Sequence, residues 1–209
     1  MSVMSDKTFR EMHAVGKEPI FTPYVPDSIK HDSEGKRITS YGTSSYGYDL
    51  RAAEEFKLFC PPKQRPWYKR IVDRLVGREC DQVIDWHKIT EDMFESYTGS
   101  SIVVPPGGFL LARSLERVKI PRGWLALCIG KSTVARAGWN CLCTPIEPGW
   151  EGYITYEFQN TTNRPNIFFA NEGVLQLVLM KGDQDCEVSY GDRDGKYNNQ
   201  PPQIVLPRV

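Results

Sequence analysis

The 209-residue chain contains no apolar run of about 18 residues, so no membrane-spanning helix is expected. It carries no charge excess either. Lys and Arg total 26, and Asp and Glu total 26, so no global field favours nucleic acid or a membrane surface. Internal repeats and low-complexity tracts are absent. The opening stretch, MSVMSDKTFREM, lacks the apolar centre of an export signal. Six cysteines are present, at 60, 80, 128, 141, 143 and 186, and no two stand in a CxxC pair. These absences lead us to expect reduced thiols in a cytoplasmic protein. The length predicts a single domain, 1–209, large enough to bury a core.

Short runs separated by Gly, Pro and Asn dominate what is present. YGYDLRAAEEFKLF, SIVVPP, GFLLARSLERVKI, GWLALCI, EGYITYEFQN, NIFFA and GVLQLVLM read as strands. Their spacing predicts a mostly-β sandwich or barrel. A short helix is expected from Ser5 to Val15, with Ser5 as cap and Gly16 as stop. A surface insertion is expected over 63–97. There Trp67, Ile71 and Leu75 at i, i+4, i+8 predict a helix with a basic outer face, and a second helix is expected near Thr90 to Tyr97. A solvated charged face is the ordinary meaning of such a segment, and a contact for a nucleic acid or partner protein is the sharper one.

Gly130-Lys131-Ser132-Thr133 invites comparison with a P-loop, but the pattern needs a glycine where Leu125 stands. WLALCI before it reads as strand, so a nucleotide-hydrolase P-loop is excluded. The residues still suit an anion: Lys131 supplies a point charge, Ser132 and Thr133 hydroxyls, and Arg136 a planar fork of donors. A plain helix start with surface charges is the competing reading.

In GYITYEFQN, Ile154, Tyr156 and Phe158 should face one way, and Tyr153, Thr155, Glu157 and Gln159 the other. Glu157 is then either an ordinary surface glutamate or a general acid/base, which needs partial burial and a nearby donor. Gln176 interrupts the apolar run GVLQLVLM and must find partners, either as a cross-strand amide or in a site. Tyr190 to Gln200 is donor-rich and carries Gly191 and Gly195. It suits a terminal tail or a segment that orders over an anionic ligand.

Five stretches together resemble the deoxycytidine triphosphate deaminase family, in the trimeric dUTPase-like superfamily. They are SSYGYDLRAAEEF, GKSTVAR, TPIEPGWEGYITYEFQNTT, ANEGVLQLV and SYGDRDGKYNNQ, in the family's order. The resemblance covers most of the chain outside roughly 60–100. It implies a dUTPase-like β-barrel or jelly roll, a homotrimer with active sites between subunits, and hydrolysis of a deoxycytidine nucleotide to its uracil counterpart and ammonia. It makes Glu157 the catalytic glutamate, with Ser132 and Arg136 holding it and the attacking water. Lys131, Thr133, Val134 and Ala135 fall in the nucleotide-binding loop. Glu147 and Trp150 occupy a second nucleotide motif, and Thr155 and Tyr156 line the base pocket. Gln176, Tyr190, Lys196, Tyr197 and Gln200 match nucleotide contacts, the last four on a C-terminal lid, 190–209. Mg²⁺ is expected on the triphosphate, held mainly by phosphate and water.

Related chemistries make different demands. A zinc deaminase needs HxE and PCxxC; His13, His31 and His87 lie in no HxE, PCxxC is missing, and no zinc is expected. A dUTP pyrophosphatase resembles SYGYDLRAA and IEPGWEG, but usually has Asp and Tyr where Glu147 and Trp150 stand here. One extra methylene misplaces an activated water. That activity remains as an addition to deamination, and a non-catalytic nucleotide-binding regulator remains as a different class. AGWNCLC, after Arg136, departs from the family's usual aliphatics, so a monophosphate or C5-modified cytosine nucleotide also stays open as substrate.

Overall fold

A computed structural model describes residues 2–14, 17–59 and 84–208. The expected basic helix around Trp67 to Leu75 lies outside them, as do the ends of the N-terminal helix reading at Val15 and Gly16. That helix, α1, runs Asp6–Met12. Ser5 caps it, accepting from the Thr8 amide, and Phe9 is its buried residue.

The described residues form strands β1 (Ser2–Val3), β2 (Phe21–Thr22), β3 (Ser28–His31), β4 (Arg37–Ser44), β5 (Gly47–Phe59), β6 (Phe94–Thr98) and β7 (Ser101–Val104). They continue with β8 (Phe109–Lys119), β9 (Trp124–Gly130), β10 (Trp139–Cys141), β11 (Glu151–Asn160), β12 (Asn166–Phe169) and β13 (Gly173–Lys181). A short helix, α2 (Ser132–Arg136), joins β9 to β10. All ladders between these strands are antiparallel, and β1-β13-β5-β8-β11-β10 forms the main path of one sheet. The 13-residue β5 binds it together. Its first half pairs with β4 and β13, and its second half with β6 and β8. The sheet therefore curls around a shared core of Tyr48, Leu50, Phe56, Leu110, Tyr156, Phe158, Phe168 and Leu177. Every strand run expected from the sequence is present.

The expected helix at Thr90 to Tyr97 is not. One 3-10 turn, Glu91–Met93, leads directly into β6, which pairs with β5 from Phe59↔Phe94 to Glu55↔Thr98. The outer half of β5 leaves backbone donors and acceptors to be satisfied, and Phe-Glu-Ser-Tyr-Thr has the alternation and β-propensity to do so.

Two local devices shape β11. Its register against β8 shifts between Tyr153 and Thr155, and the Ile154 amide omitted there donates to Ser114 Oγ at 2.8 Å. Gly152 has φ +141°, and a Cβ at this position would stand 2.5 Å from the Gln200 amide nitrogen. Only glycine lets the C-terminal segment lie against β11 here.

Candidate active site

The alternation of β11 sets the site. Gly152, Ile154, Tyr156, Phe158 and Asn160 are buried, and Glu151, Tyr153, Thr155, Glu157 and Gln159 are half-buried on the other side. Glu157 stands across from Leu111 of β8, and Thr155 across from Arg113. Both open into a cavity of roughly 860 Å³. Cys143, Thr144 and Glu147 also line this cavity, with Tyr190, Tyr197 and Gln200 from the C-terminal segment. Phe59, Phe94, Phe109 and Leu111 supply an apolar wall. Burial pushes the Glu157 carboxyl above the usual carboxylate range, opposed by a hydrogen bond from the Cys143 thiol.

Seven sequence-predicted residues thus converge: Glu147, Trp150, Thr155, Glu157, Tyr190, Tyr197 and Gln200. The C-terminal segment is docked on its own chain. Trp150 Nε1 donates to the Tyr197 carbonyl at 2.7 Å, and the Glu151 amide to Asn198 Oδ1 at 3.1 Å. The Val205 amide donates to Thr155 Oγ1 at 3.2 Å, while Ile204 packs with Phe94 and Leu111. Glu147 is ion-paired with Arg193 of this segment. Gln200 is buried, and its Oε1 has no protein partner. Lys196 is exposed and its carbonyl accepts from Arg208 Nη1 at 2.7 Å.

Other predicted residues lie elsewhere in the chain. Tyr156 turns its ring into the core, fully buried, and its hydroxyl donates to the Arg51 carbonyl at 3.2 Å. Its side chain therefore does not line the cavity, because the strand's period of two sends it opposite to Glu157. On α2, Ser132, Thr133, Ala135 and Arg136 are exposed, and Val134 packs against the core. None of these five lines the cavity of Glu157.

Lys131 and Gln176 meet in a second polar cluster. Lys131 Nζ bonds to Asp49 Oδ2 and, at 3.2 Å, to Ser40 Oγ. Gln176 Nε2 donates to Ser44 Oγ at 3.1 Å and Asp49 Oδ1 at 3.2 Å. The cross-strand amide reading of Gln176 is the one realised, since Gln176 and Asp49 are register partners. Burial pushes the Asp49 carboxyl up, and Lys131 acts against this. A buried carboxylate needs a counter-ion, so the Lys131 charge is partnered inside the chain.

Sequence reasoning missed four contributors. Asp49 was visible as part of SSYGYDLRAAEEF, but nothing in the spacing pointed it towards Lys131. Trp86 and Ile89, from the segment read as a charged insertion, line the cavity. Cys143 was visible as half of a close cysteine pair, but nothing in the spacing pointed it towards Glu157.

With this geometry in hand, comparison with known proteins is informative. A family signature described as dCTP deaminase-like matches residues 3–182. A dCTP deaminase of Burkholderia cenocepacia is 43% identical over 209 residues, covering 100% of both chains. One from Burkholderia thailandensis matches equally, 43% over 209 residues and 100% of both. Among solved structures, the fold is similar to a 2'-deoxycytidine 5'-triphosphate deaminase from Agrobacterium tumefaciens, with a TM-score of 0.54 at 16% identity. That alignment covers 86% of this chain and 48% of the other, so this chain spans about half of that protein.

Proposed function

This chain belongs to the dCTP deaminase-like family, within the dUTPase-like superfamily, and on that premise we propose that it hydrolyses dCTP to dUTP and ammonia. The observation that carries the chemistry is Glu157: a half-buried carboxyl on a cavity wall, held above its usual range by burial. Deamination asks one group to move several protons. The Glu157 carboxylate takes a proton from the attacking water as oxygen bonds to C4. It delivers that proton to N3, giving a tetrahedral carbon, and a further transfer to the amino group lets ammonia leave. A carboxyl whose proton affinity is raised by burial suits both halves of this cycle.

Ser132 and Arg136 complete the site from a neighbouring subunit of a homotrimer. Two observations support this. Both side chains are exposed in the single chain and away from Glu157. The β7–β12 ladder also presents Val103, Ile167 and Phe169 outward, an apolar face suited to subunit contact. In that arrangement Ser132 orients the water, Arg136 holds the carboxylate, and the exposed end of α2 faces the phosphates. Lys131 keeps the loop in place through Asp49, and Gln176 braces the same aspartate.

The segment 190–208 covers the nucleotide. The buried, unpartnered Oε1 of Gln200 is an acceptor for a ligand donor, and exposed Lys196 is a charge available to phosphate. Mg²⁺ accompanies the triphosphate. Among the described residues no three His, Cys, Asp or Glu side chains group to hold a metal, which fits an ion carried by the phosphates and water. When bound, it offsets phosphate charge.

Deamination fits better than dUTP pyrophosphate cleavage. Glu147 is ion-paired with Arg193, and Trp150 is buried with its indole N–H bonded to Tyr197. Neither is presented as a water activator or a stacking face. Product analysis with dCTP, dCMP, dUTP and 5-substituted dCTP tests the reading. The expected product is dUTP with its triphosphate intact. Monophosphate product would add the second activity, preference for another cytosine nucleotide would reassign the substrate, and no turnover would leave a nucleotide-binding regulator.

A further inference from the structure

PPQIVLPRV follows Gln200, the last residue matched to a nucleotide contact, and has no part in the chemistry above. Gln200 lies beside Gly152 of β11, and its carbonyl accepts from the Tyr153 amide at 3.1 Å. Pro201 and Pro202 have no N–H to extend that pairing, so the chain leaves β11 here. It turns, with the Gln203 amide donating to the Pro201 carbonyl at 2.7 Å, and comes back. The Val205 amide then donates to Thr155 Oγ1 at 3.2 Å. Ile204 is buried on Phe94 and Leu111, and Leu206 joins the same cluster with Ile89 and Met93. Ile89, Met93 and Phe94 belong to the stretch that the family resemblance leaves out. At its end the chain returns to where it started. The Arg208 amide donates to Tyr197 Oη at 2.9 Å, and Arg208 Nη1 to the Lys196 carbonyl at 2.7 Å.

We propose that residues 201–208 are a strap that holds segment 190–200 over the cavity before nucleotide arrives, with Ile204 and Arg208 as positioning residues and Ile89, Met93 and Phe94 as the seat. The inference rests on the reading of 190–200 as the nucleotide cover. That segment is tethered at both ends, and the two tethers differ in kind. At its start Arg122 donates to the carbonyls of Cys186 at 3.1 Å and Glu187 at 2.7 Å, and pairs with Asp192. Arg122 and Asp192 are both exposed, so salt screens this pair and it holds weakly. The far tether is apolar and buried, and salt does not screen it. A cover fixed only at its start would pay the ordering entropy of its backbone at each binding event. A cover already seated has paid it, which lowers the cost of binding without any new contact to the ligand. The part of the insertion that the structure describes thereby gains a role: it completes the seat for the strap.

The test is a chain that ends after Gln203, which keeps Tyr190, Lys196, Tyr197 and Gln200 and loses the strap. In ligand-free protein, hydrogen exchange at the Glu151 and Tyr153 amides, which donate to Asn198 and Gln200, should quicken about thirtyfold, the low end for emptying one buried isoleucine site. KM for dCTP should rise about tenfold as the seated fraction falls, while kcat holds at saturation because bound nucleotide recloses the segment. A general loss of structure would instead lower kcat. I204A in the full chain should act in the same direction, and its effect should be less than multiplicative with that of M93A, since both open one cluster; fully multiplicative effects refute the seat. R208A changes an exposed side chain and leaves the core untouched. Faster exchange over 196–200 in that variant supports the closure onto Lys196, and unchanged exchange refutes it. Unchanged exchange at both β11 amides in the shortened chain overturns the strap, and quickened exchange with a wild-type KM overturns its link to nucleotide binding. A wild-type protein that turns over no cytosine nucleotide, with both amides deprotected in the shortened chain, would refute the deaminase reading and leave the strap standing.

Discussion

Glu157→Gln tests the mechanism most directly. The amide is nearly isosteric, so the cavity should keep its shape. Burial disfavours the ionised carboxyl, so a neutral side chain at this point carries a smaller desolvation cost than the charge. Fold, assembly and nucleotide affinity should therefore survive. Chemistry should not, because an amide cannot take a proton from water or pass one to N3. A positioned acid/base group contributes about 10²–10⁴-fold. One group here serves at least two transfers, so the loss should reach the upper end, equivalent to about 5.5 kcal/mol of barrier. Ser132→Ala should cost less, since a hydroxyl only orients the water. The assays are ammonia release and, separately, affinity for a non-hydrolysable dCTP analogue. Turnover within about tenfold of wild type, below the usual acid/base range, would refute the proton-shuttle role. Loss of both assembly and activity would show that Glu157 serves the fold.

Three further outcomes follow from the same geometry. Gly152→Ala should displace the C-terminal segment, because its Cβ would stand 2.5 Å from the Gln200 amide at a φ of +141°; limited proteolysis should then cut that segment faster, with kcat/KM reduced in a folded protein, and unchanged protease resistance would refute the docking argument. Ending the chain after Ser189 removes Tyr190, Tyr197 and Gln200 from the cavity and uncovers the Phe94–Leu111 cluster beneath Ile204. Activity should be greatly weakened and a hydrophobic dye should bind, whereas wild-type kcat/KM would make the segment a passive terminus. Glu116→Gln breaks a buried pair in which Arg51 Nε meets Oε1 at 2.7 Å and its amide meets Oε2 at 3.0 Å; denaturant titration should register a loss of about 3–5 kcal/mol, and a loss under about 1 kcal/mol, the scale of an exposed pair, would show that the pair contributes little.

The strands were legible because alternation is local. EGYITYEFQN states in its own order that Tyr156 faces one side and Glu157 the other, and burial follows that order. The Ser5 cap of α1 was readable for the same reason: its partner, Thr8, is three residues away. The expectation failed at Thr90 to Tyr97, where the edge of β5 recruited a strand from a segment read as helix. The site was legible in its kinds of residue and not in its grouping. Glu157, Tyr197 and Gln200 share a cavity because Gly152 admits the C-terminal segment to β11. Lys131 finds Asp49 from 82 positions away through the β9–β13–β5 pairing, which turns an apparent phosphate grip into a buried ion pair. Cys143 lines the cavity of Glu157 because β10 ends two residues earlier, and strand ends depend on pairing partners. Side-chain type and alternation are properties of neighbours in the chain. Burial, counter-ions and proton affinity depend on what the closed sheet brings together, and these the tertiary structure alone decided.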